Sequence, residues 1–214
     1  MQFKLSSDNL LLLILNEEAK MSKNTLDKLF GSRIRVKLLK FLFRNYPGNF
    51  NAQEISKRIQ EPFEETKSEL RTLSELGLIN KNQKAAYFLD PEFEFFGELK
   101  SLILKSSPAE KDKMVRKILG LGRIKLAVTS GIFLAENTGS DLYDTVADLF
   151  IVGDDISKNK LRAFLTALEA EVGKEIKFTL MDKDEFQYRY GMFDRFIRVL
   201  LEGPHEKIIN KLGL

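Results

Sequence analysis

The sequence contains no cysteine and only one histidine in its 214 residues. Disulfides and thiolate metal sites are therefore excluded, and with them the usual zinc sites built from Cys and His. A serine–histidine hydrolase would have to use His205, which follows Gly203-Pro204 near the C-terminus, where a solvated turn residue is expected. Long hydrophobic runs are also missing. The longest, Leu10–Leu15, is six residues, against the ~20 needed to cross a bilayer. Met1-Gln2-Phe3-Lys4 lacks the form of a secretory signal. A cytoplasmic chain with no membrane partner is the expectation.

What is present suits one large domain or two small ones: 43% hydrophobic residues for ordinary cores and 30% charged residues for a solvated surface. The net charge of +3 is unevenly spread. Residues 23–89 hold thirteen Lys/Arg against seven Asp/Glu, an excess of +6, whereas residues 109–214 hold seventeen of each. Positive charge concentrated in the first half favours a polyanionic partner there. The plainer reading is a solvated face that happens to be basic.

Residues 1–24 are of uncertain role; the Leu10–Leu15 run reads equally as a buried strand or an apolar helical turn, packed against the body or against a second copy as part of a dimer seam. The stretch Leu26–Arg44 contains a first long helix. Ser32 is its candidate N-cap, and Ile34, Leu38, Phe41 and Leu42 form its apolar stripe. Arg33, Arg35, Lys37, Lys40 and Arg44 are expected to crowd its remaining surface, and Tyr46-Pro47-Gly48 to end it. Ala52, Ile55 and Ile59 share one face of a second helix. Leu70, Leu73 and Leu76 mark a third, over about Pro62–Leu76, closed by Gly77 in a left-handed conformation. Leu78–Asn82 and Ala85–Leu89 flank a polar turn and predict a hairpin.

Helix, turn, helix, hairpin is the order of a winged helix, and Glu69–Lys81 (ELRTLSELGLINK) resembles the end of the recognition helix and first wing strand of prokaryotic winged-helix regulators. The same leucine pattern with a Gly-Leu-Ile exit also occurs in winged helices that bind only protein. The resemblance implies a second helix entering a DNA major groove. Lys67, Ser68 and Arg71 on that helix, with Lys81 and Lys84 on the wing, are the candidate contacts to phosphates or base edges. Glu61, Glu64 and Glu65 depart from a good DNA reader, since they would approach phosphate oxygens at the leading end of the helix.

After Asp90-Pro91, the segment Glu92–Lys105 reads as a helix with Phe93, Phe96, Leu99, Leu102 and Ile103 on one side, as core and in part as a dimer seam. Ser106-Ser107-Pro108 is the best domain boundary, and Ala109–Leu119 a short helix closed by Gly120 and Gly122. Beyond Arg123, strands are predicted at Ile124–Thr129, Ala147–Val152 and Glu175–Met181, and helices at Lys158–Val172, Asp184–Tyr190 and Asp194–Leu201. The alternation argues for an α/β or α+β layered domain.

This order resembles the minimal nucleotidyltransferase fold. Leu29–Phe43 (LFGSRIRVKLLKFLF) resembles the opening helix of regulators in which a winged helix precedes such a domain, and Phe196–Ile208 (FIRVLLEGPHEKI) resembles the end of those domains. The family signature is a Gly-Ser turn, an Asp-x-Asp pair and a third carboxylate on a later strand. Two carboxylates one residue apart on a strand share a face and hold Mg²⁺ against nucleotide phosphates. Here Gly131 fits the glycine and Asp148 the second aspartate, but Ile132 replaces the serine, Val146 the first aspartate, and Lys177 stands near the third acid. An alternative turn, Gly139-Ser140, has Asp141 and Asp144 nearby, three apart in a loop. Without a transferase role, Asp148 reads as a strand-edge residue that hydrogen-bonds its neighbouring loop.

The expectation is thus an α+β protein: an N-terminal segment (1–24), a winged helix-turn-helix (25–91), connecting helices (92–122) and a degenerate, mixed-sheet nucleotidyltransferase-like domain (123–214). Its expected function is that of a DNA-binding transcriptional regulator, a homodimer on double-stranded DNA. The second domain is a pseudoenzyme that retains Gly131 and Asp148 as a vestigial nucleotide site, with no cofactor and no catalytic residue. It would serve dimerisation or the sensing of a small-molecule or protein effector. The alternatives are a metal-dependent nucleotidyltransferase with a rearranged acid set and an antitoxin-like interaction module.

Overall fold

A computed structural model of the chain describes residues 25–106, 109, 111–134 and 145–214. It is a mixed α+β structure with two sheets. The Leu10–Leu15 run and the alternative Gly139-Ser140 turn, with Asp141 and Asp144, lie outside the described residues.

The first half begins with a helical segment over 25–30 (α1) and the helix α2, Arg33–Arg44. Ser32 caps α2 as its sequence suggests, its hydroxyl accepting from the Arg35 N–H at 3.2 Å. A two-residue strand β1, Phe50–Asn51, leads into α3, Ala52–Ile59, whose N-cap Asn51 accepts from the Glu54 N–H at 2.8 Å. Helix α4 spans Phe63–Glu75 and passes into the hairpin β2, Ile79–Lys81, and β3, Ala86–Leu89. Strand β3 is central in the order β1-β3-β2, both pairings antiparallel. Helix α5, Phe96–Lys105, closes the unit. Leu38, Phe41, Leu42, Ile55, Ile59, Leu70, Leu73, Leu78 and Ile103 share one core.

Two details correct the leucine pattern. Leu76 is 62% exposed, not part of the buried stripe. Gly77 takes φ +78°, so the Leu78 N–H reaches the Leu73 carbonyl (3.1 Å) and the Gly77 N–H reaches Ser74 (3.0 Å). This C-terminal motif turns the chain back and sends Leu78 into the core in place of Leu76. Ile103 of α5 is fully buried, and Phe93 just before the helix packs with Phe96 and Leu99 on the same core, whereas Leu102 points outward. The phenylalanine stripe is therefore core, and of the large apolar residues in Glu92–Lys105 only Phe95 and Leu102 stay exposed.

The second half is built on a four-stranded mixed sheet in the order β6-β5-β4-β7. After α6 (Lys111–Leu119) come β4 (Arg123–Ser130), a 3₁₀ turn (Gly131–Phe133), β5 (Leu149–Asp154), α7 (Lys158–Val172), β6 (Phe178–Met181), α8 (Lys183–Gly191), α9 (Arg195–Glu202) and β7 (His205–Asn210). Strands β5 and β6 are parallel; β4 runs antiparallel to β5 and β7. Side chains alternate across the sheet. Leu149, Ile151 and Ala127 pack against α6 and α7, while Phe150, Val152, Leu126 and Val128 pack against α8 and α9. Covering both faces explains why β5 reads Leu-Phe-Ile-Val without polar alternation. His205 opens β7 instead of lying in a turn, and its Nδ1 contacts the Gly203 carbonyl oxygen at 2.8 Å.

The halves meet where the C-terminal ends of α2 and α7 abut. Arg44 donates to the Val172 carbonyl, and the Asn45 amide donates to Phe41 O (2.7 Å) and Gly173 O (2.6 Å). Burial lowers the Arg44 guanidinium to about 10, which leaves it charged at neutral pH beside two negative helix ends. Gly173 caps α7 at φ +81°, and a Cβ there would stand 2.7 Å from Phe41 N. Gly77 has a similar φ but nothing within 4 Å of a Cβ. Substituting alanine at the two sites separates strain from collision. Gly77→Ala is expected to cost about 1 kcal/mol in urea unfolding. Gly173→Ala should cost about 2 kcal/mol more, because the backbone of α2 must also move.

Candidate functional site

Helix α4 buries Thr66, Leu70 and Leu73. At 100° per residue, the opposite direction belongs to Glu64, Ser68, Arg71 and Glu75, with Lys67 at its edge. All five are exposed. Arg71 Nε lies 3.6 Å from Glu75 Oε1, with both side chains about 70% in water (76% and 68%), so the pair is weak and Arg71 can exchange it for another anion. The Lys67 ammonium sits 5.9 Å from the Phe63 ring centre. On the hairpin, Lys81 is exposed with its ammonium 5.4 Å from the Tyr87 ring centre. Lys84 is exposed in the turn, where Asn82 Oδ1 accepts from the backbone N–H groups of Lys84 (2.9 Å) and Ala86 (3.0 Å). The sequence-predicted contacts Lys67, Ser68, Arg71, Lys81 and Lys84 are thus all at the surface, on α4 and the hairpin that follows it.

The basic surface expected on α2 is not there. Only Arg33 of the five is exposed. Arg35 Nε pairs with Glu69 (2.8 Å), Lys37 with Glu61 and the Ile59 carbonyl, Lys40 is buried, and Arg44 serves the joint with α7. The reason is that α2 is covered on several sides, by α3, α4, α5 and α7. The same pairs turn Glu61, which precedes α4, and Glu69 of α4 towards α2, so the three acids Glu61, Glu64 and Glu65 do not act together. Glu64 and Glu65 remain exposed in its first turn.

The second candidate lies at the end of β4. Gly131 has φ +54°, and a Cβ there would overlap Asp148 Oδ1. Asp148, 5% exposed, accepts from the Ile132 N–H through Oδ1 (3.1 Å) and from the Lys177 N–H through Oδ2 (2.9 Å). Its own N–H donates to the Lys177 carbonyl (2.7 Å), and its carbonyl accepts from the Ser130 N–H (2.9 Å). One side chain therefore fastens the end of β4, the start of β5 and the approach to β6. Lys177 Nζ is 3.4 Å from the Thr145 carbonyl oxygen, and Val146 is 38% exposed. Among the described residues, no three carboxylates or imidazoles converge to hold a metal ion.

Sequence reasoning did not single out an acidic cleft of about 640 Å³ at the far ends of β5 and β6, lined by Asp154, Asp155, Asp182 and Asp184. Three of those acids have partners: Asp154 accepts from the Lys183 N–H (3.1 Å), Asp155 pairs with Arg123 (2.7 Å), and Asp182 caps α8 through the Glu185 N–H (2.7 Å). The available signal was their place at the C-terminal ends of two adjacent parallel strands.

No family model, curated protein or solved structure matches the chain. The geometry alone therefore carries the functional reading.

Asp148, itself buried, holds two backbone donors with its two carboxylate oxygens. Asp148→Ala should cost about 3 kcal/mol in urea unfolding, and Asp148→Asn about 2 kcal/mol, because an amide has one acceptor oxygen for two donors. A loss below about 0.5 kcal/mol in both variants, at unchanged m-value, would show that the carboxylate is not a structural clamp.

Proposed function

We propose that the protein is a DNA-binding transcriptional regulator: a winged helix-turn-helix followed by a nucleotidyltransferase-like domain that transfers nothing and acts in dimerisation or effector sensing. The observation that carries this reading is the exposed α4 followed by a hairpin whose far strand pairs with a strand placed between α2 and α3. In that arrangement α4 is the recognition helix and the hairpin is the wing. Lys67, Arg71, Lys81 and Lys84 neutralise phosphates, and Ser68 and Arg71 reach base edges. The turning of Glu61 and Glu69 onto Lys37 and Arg35 supports the same reading, since it clears two carboxylates from the DNA side.

The use of Asp148 as a clamp supports a domain without transferase chemistry. Metal-assisted nucleotidyl transfer needs several carboxylates around two cations. The corresponding positions here carry an exposed valine, one buried aspartate with both oxygens engaged, and a lysine. The cleft of about 290 Å³ lined by Lys57 and Arg58 of α3 and by Thr166 and Glu169 of α7 lies at the joint of the two halves. It is a suitable place for a small effector to alter their contact.

Four phosphate contacts per copy predict a log–log salt slope of about −3.6 for each copy bound to the duplex, and Lys67→Ala or Lys81→Ala should each reduce it by about 0.9 per copy. Arg71→Ala should in addition relax sequence choice. Fluorescence anisotropy against random and selected duplexes reads both effects; no duplex binding at low salt would end the proposal. Incubation with labelled nucleoside triphosphates and Mg²⁺ or Mn²⁺ should give no labelled product. Metal-dependent labelling would instead make the domain an enzyme.

A further inference from the structure

Among the described residues, the largest exposed apolar side chains of the second half are concentrated at one point. Tyr188 is 70% exposed, Met192 66% and Phe193 80%. Helix α8 turns Phe186 into the core, and its outer face presents Asp184, Gln187, Tyr188 and Gly191, continued by Met192 and Phe193. Asp184, Tyr188 and Met192 are four residues apart, so they form a single row along the helix.

The chain beyond α8 is firmly built. Phe193 sits at φ +53°, a conformation unfavourable for a bulky residue. It is held there by Phe193 N–H to Tyr190 O (3.2 Å), Asp194 N–H to Arg189 O (3.0 Å), and Arg189 bridging Glu185 (2.7 Å) and Asp194. Asp194 then caps α9 through the N–H groups of Phe196 (2.9 Å) and Ile197 (3.2 Å). The left-handed residue closes α8 with the same bond pattern that Gly77 gives α4, but here it is a phenylalanine whose ring is left out in water.

We infer that this face of α8 is a homodimer interface, formed with the same face of a second copy in antiparallel packing about a two-fold axis near Tyr188. The inference rests on the dimeric form of the regulator and assigns its surface. Charge complementarity selects the second copy. Asp184 at the start of the row and Arg195 just past its end are both exposed and have no partner among the described residues. Asp184 and Met192 are eight residues apart, about 12 Å along a helix. Antiparallel packing therefore sets Asp184 beside the partner's Met192 and Arg195, and by symmetry the reverse contact forms as well. The helix dipoles also oppose each other, and Gly191, with open space where a Cβ would stand, lets the backbones approach.

The exposed parts of Tyr188, Met192 and Phe193 amount to about 400–500 Å² per copy. That is roughly half of the ~800 Å² that each partner contributes to a standard interface, with the remainder left to polar side chains at the rim.

Sedimentation velocity of the full chain without DNA tests this across about 1–100 µM. The wild-type protein should pass from monomer to dimer in that range. Met192→Arg and Phe193→Asp should each weaken dimerisation at least tenfold with unchanged circular dichroism. Asp184→Arg and Arg195→Asp should each weaken it three- to tenfold, and the double exchange should restore it. A wild-type monomer at 100 µM would overturn the dimeric reading itself. A dimer that ignores all four substitutions, or a double exchange that restores nothing, would overturn the surface assigned here while leaving dimerisation standing.

Discussion

Two helices end at the same place in this protein, and the arrangement needs a cation there. The C-termini of α2 and α7 each carry unpaired carbonyls and a partial negative charge. Brought together without compensation they would repel. Arg44, the last residue of α2, donates across to Val172, and the Asn45 amide divides its two hydrogens between Phe41 and Gly173. The approach is close enough that a Cβ on Gly173 would meet the backbone of α2. The orientation of the α2–α4 unit against the second sheet depends on this joint. So does any route by which a ligand near α7 could alter the face presented by α4.

The helices were the most legible part of the sequence. Lys158–Val172 was read to the residue, and the Ser32 cap and the turn at Gly77 were visible because each depends on local chemistry. Strands were less legible. Strand β1 has two residues and exists only through its pairing with β3; β7 starts directly after a Gly-Pro turn and shows no regular alternation of burial. Side-chain destinations were least legible. Arg35 and Lys37 read as surface cations because a helix wheel gives a direction and not a neighbour. Their partners, Glu69 and Glu61, lie 34 and 24 positions away.

Asp148 shows how one carboxylate at a strand end can be claimed by structure. Its position after a glycine turn matches a metal ligand in the nucleotidyltransferase pattern, yet its oxygens face the Ile132 and Lys177 N–H groups. A metal would have to compete with these two backbone hydrogen bonds for the carboxylate. Gly131 is required for the same clamp, because any side chain there would occupy the place of the carboxylate. Gly131 and Asp148 thus each have a sufficient structural reason to be present that involves no nucleotide.

The acids of α4 and of the residues leading into it follow the same logic. Glu61 and Glu69 are bound to cations of α2, leaving Glu64 and Glu65 as the exposed acids of the first turn. That turn has no side-chain cap, because Pro62 occupies the capping position. Carboxylates near an uncapped helix N-terminus stabilise it by about 0.3–1 kcal/mol each. In the proposed recognition helix the same charges would repel phosphate. Helix stability and DNA affinity are therefore opposed at Glu64 and Glu65, and the cations that must outweigh them lie further along α4 and on the hairpin. Lys67 and Arg71, beyond the leading turn of α4, and the hairpin would then carry most of the attraction to DNA.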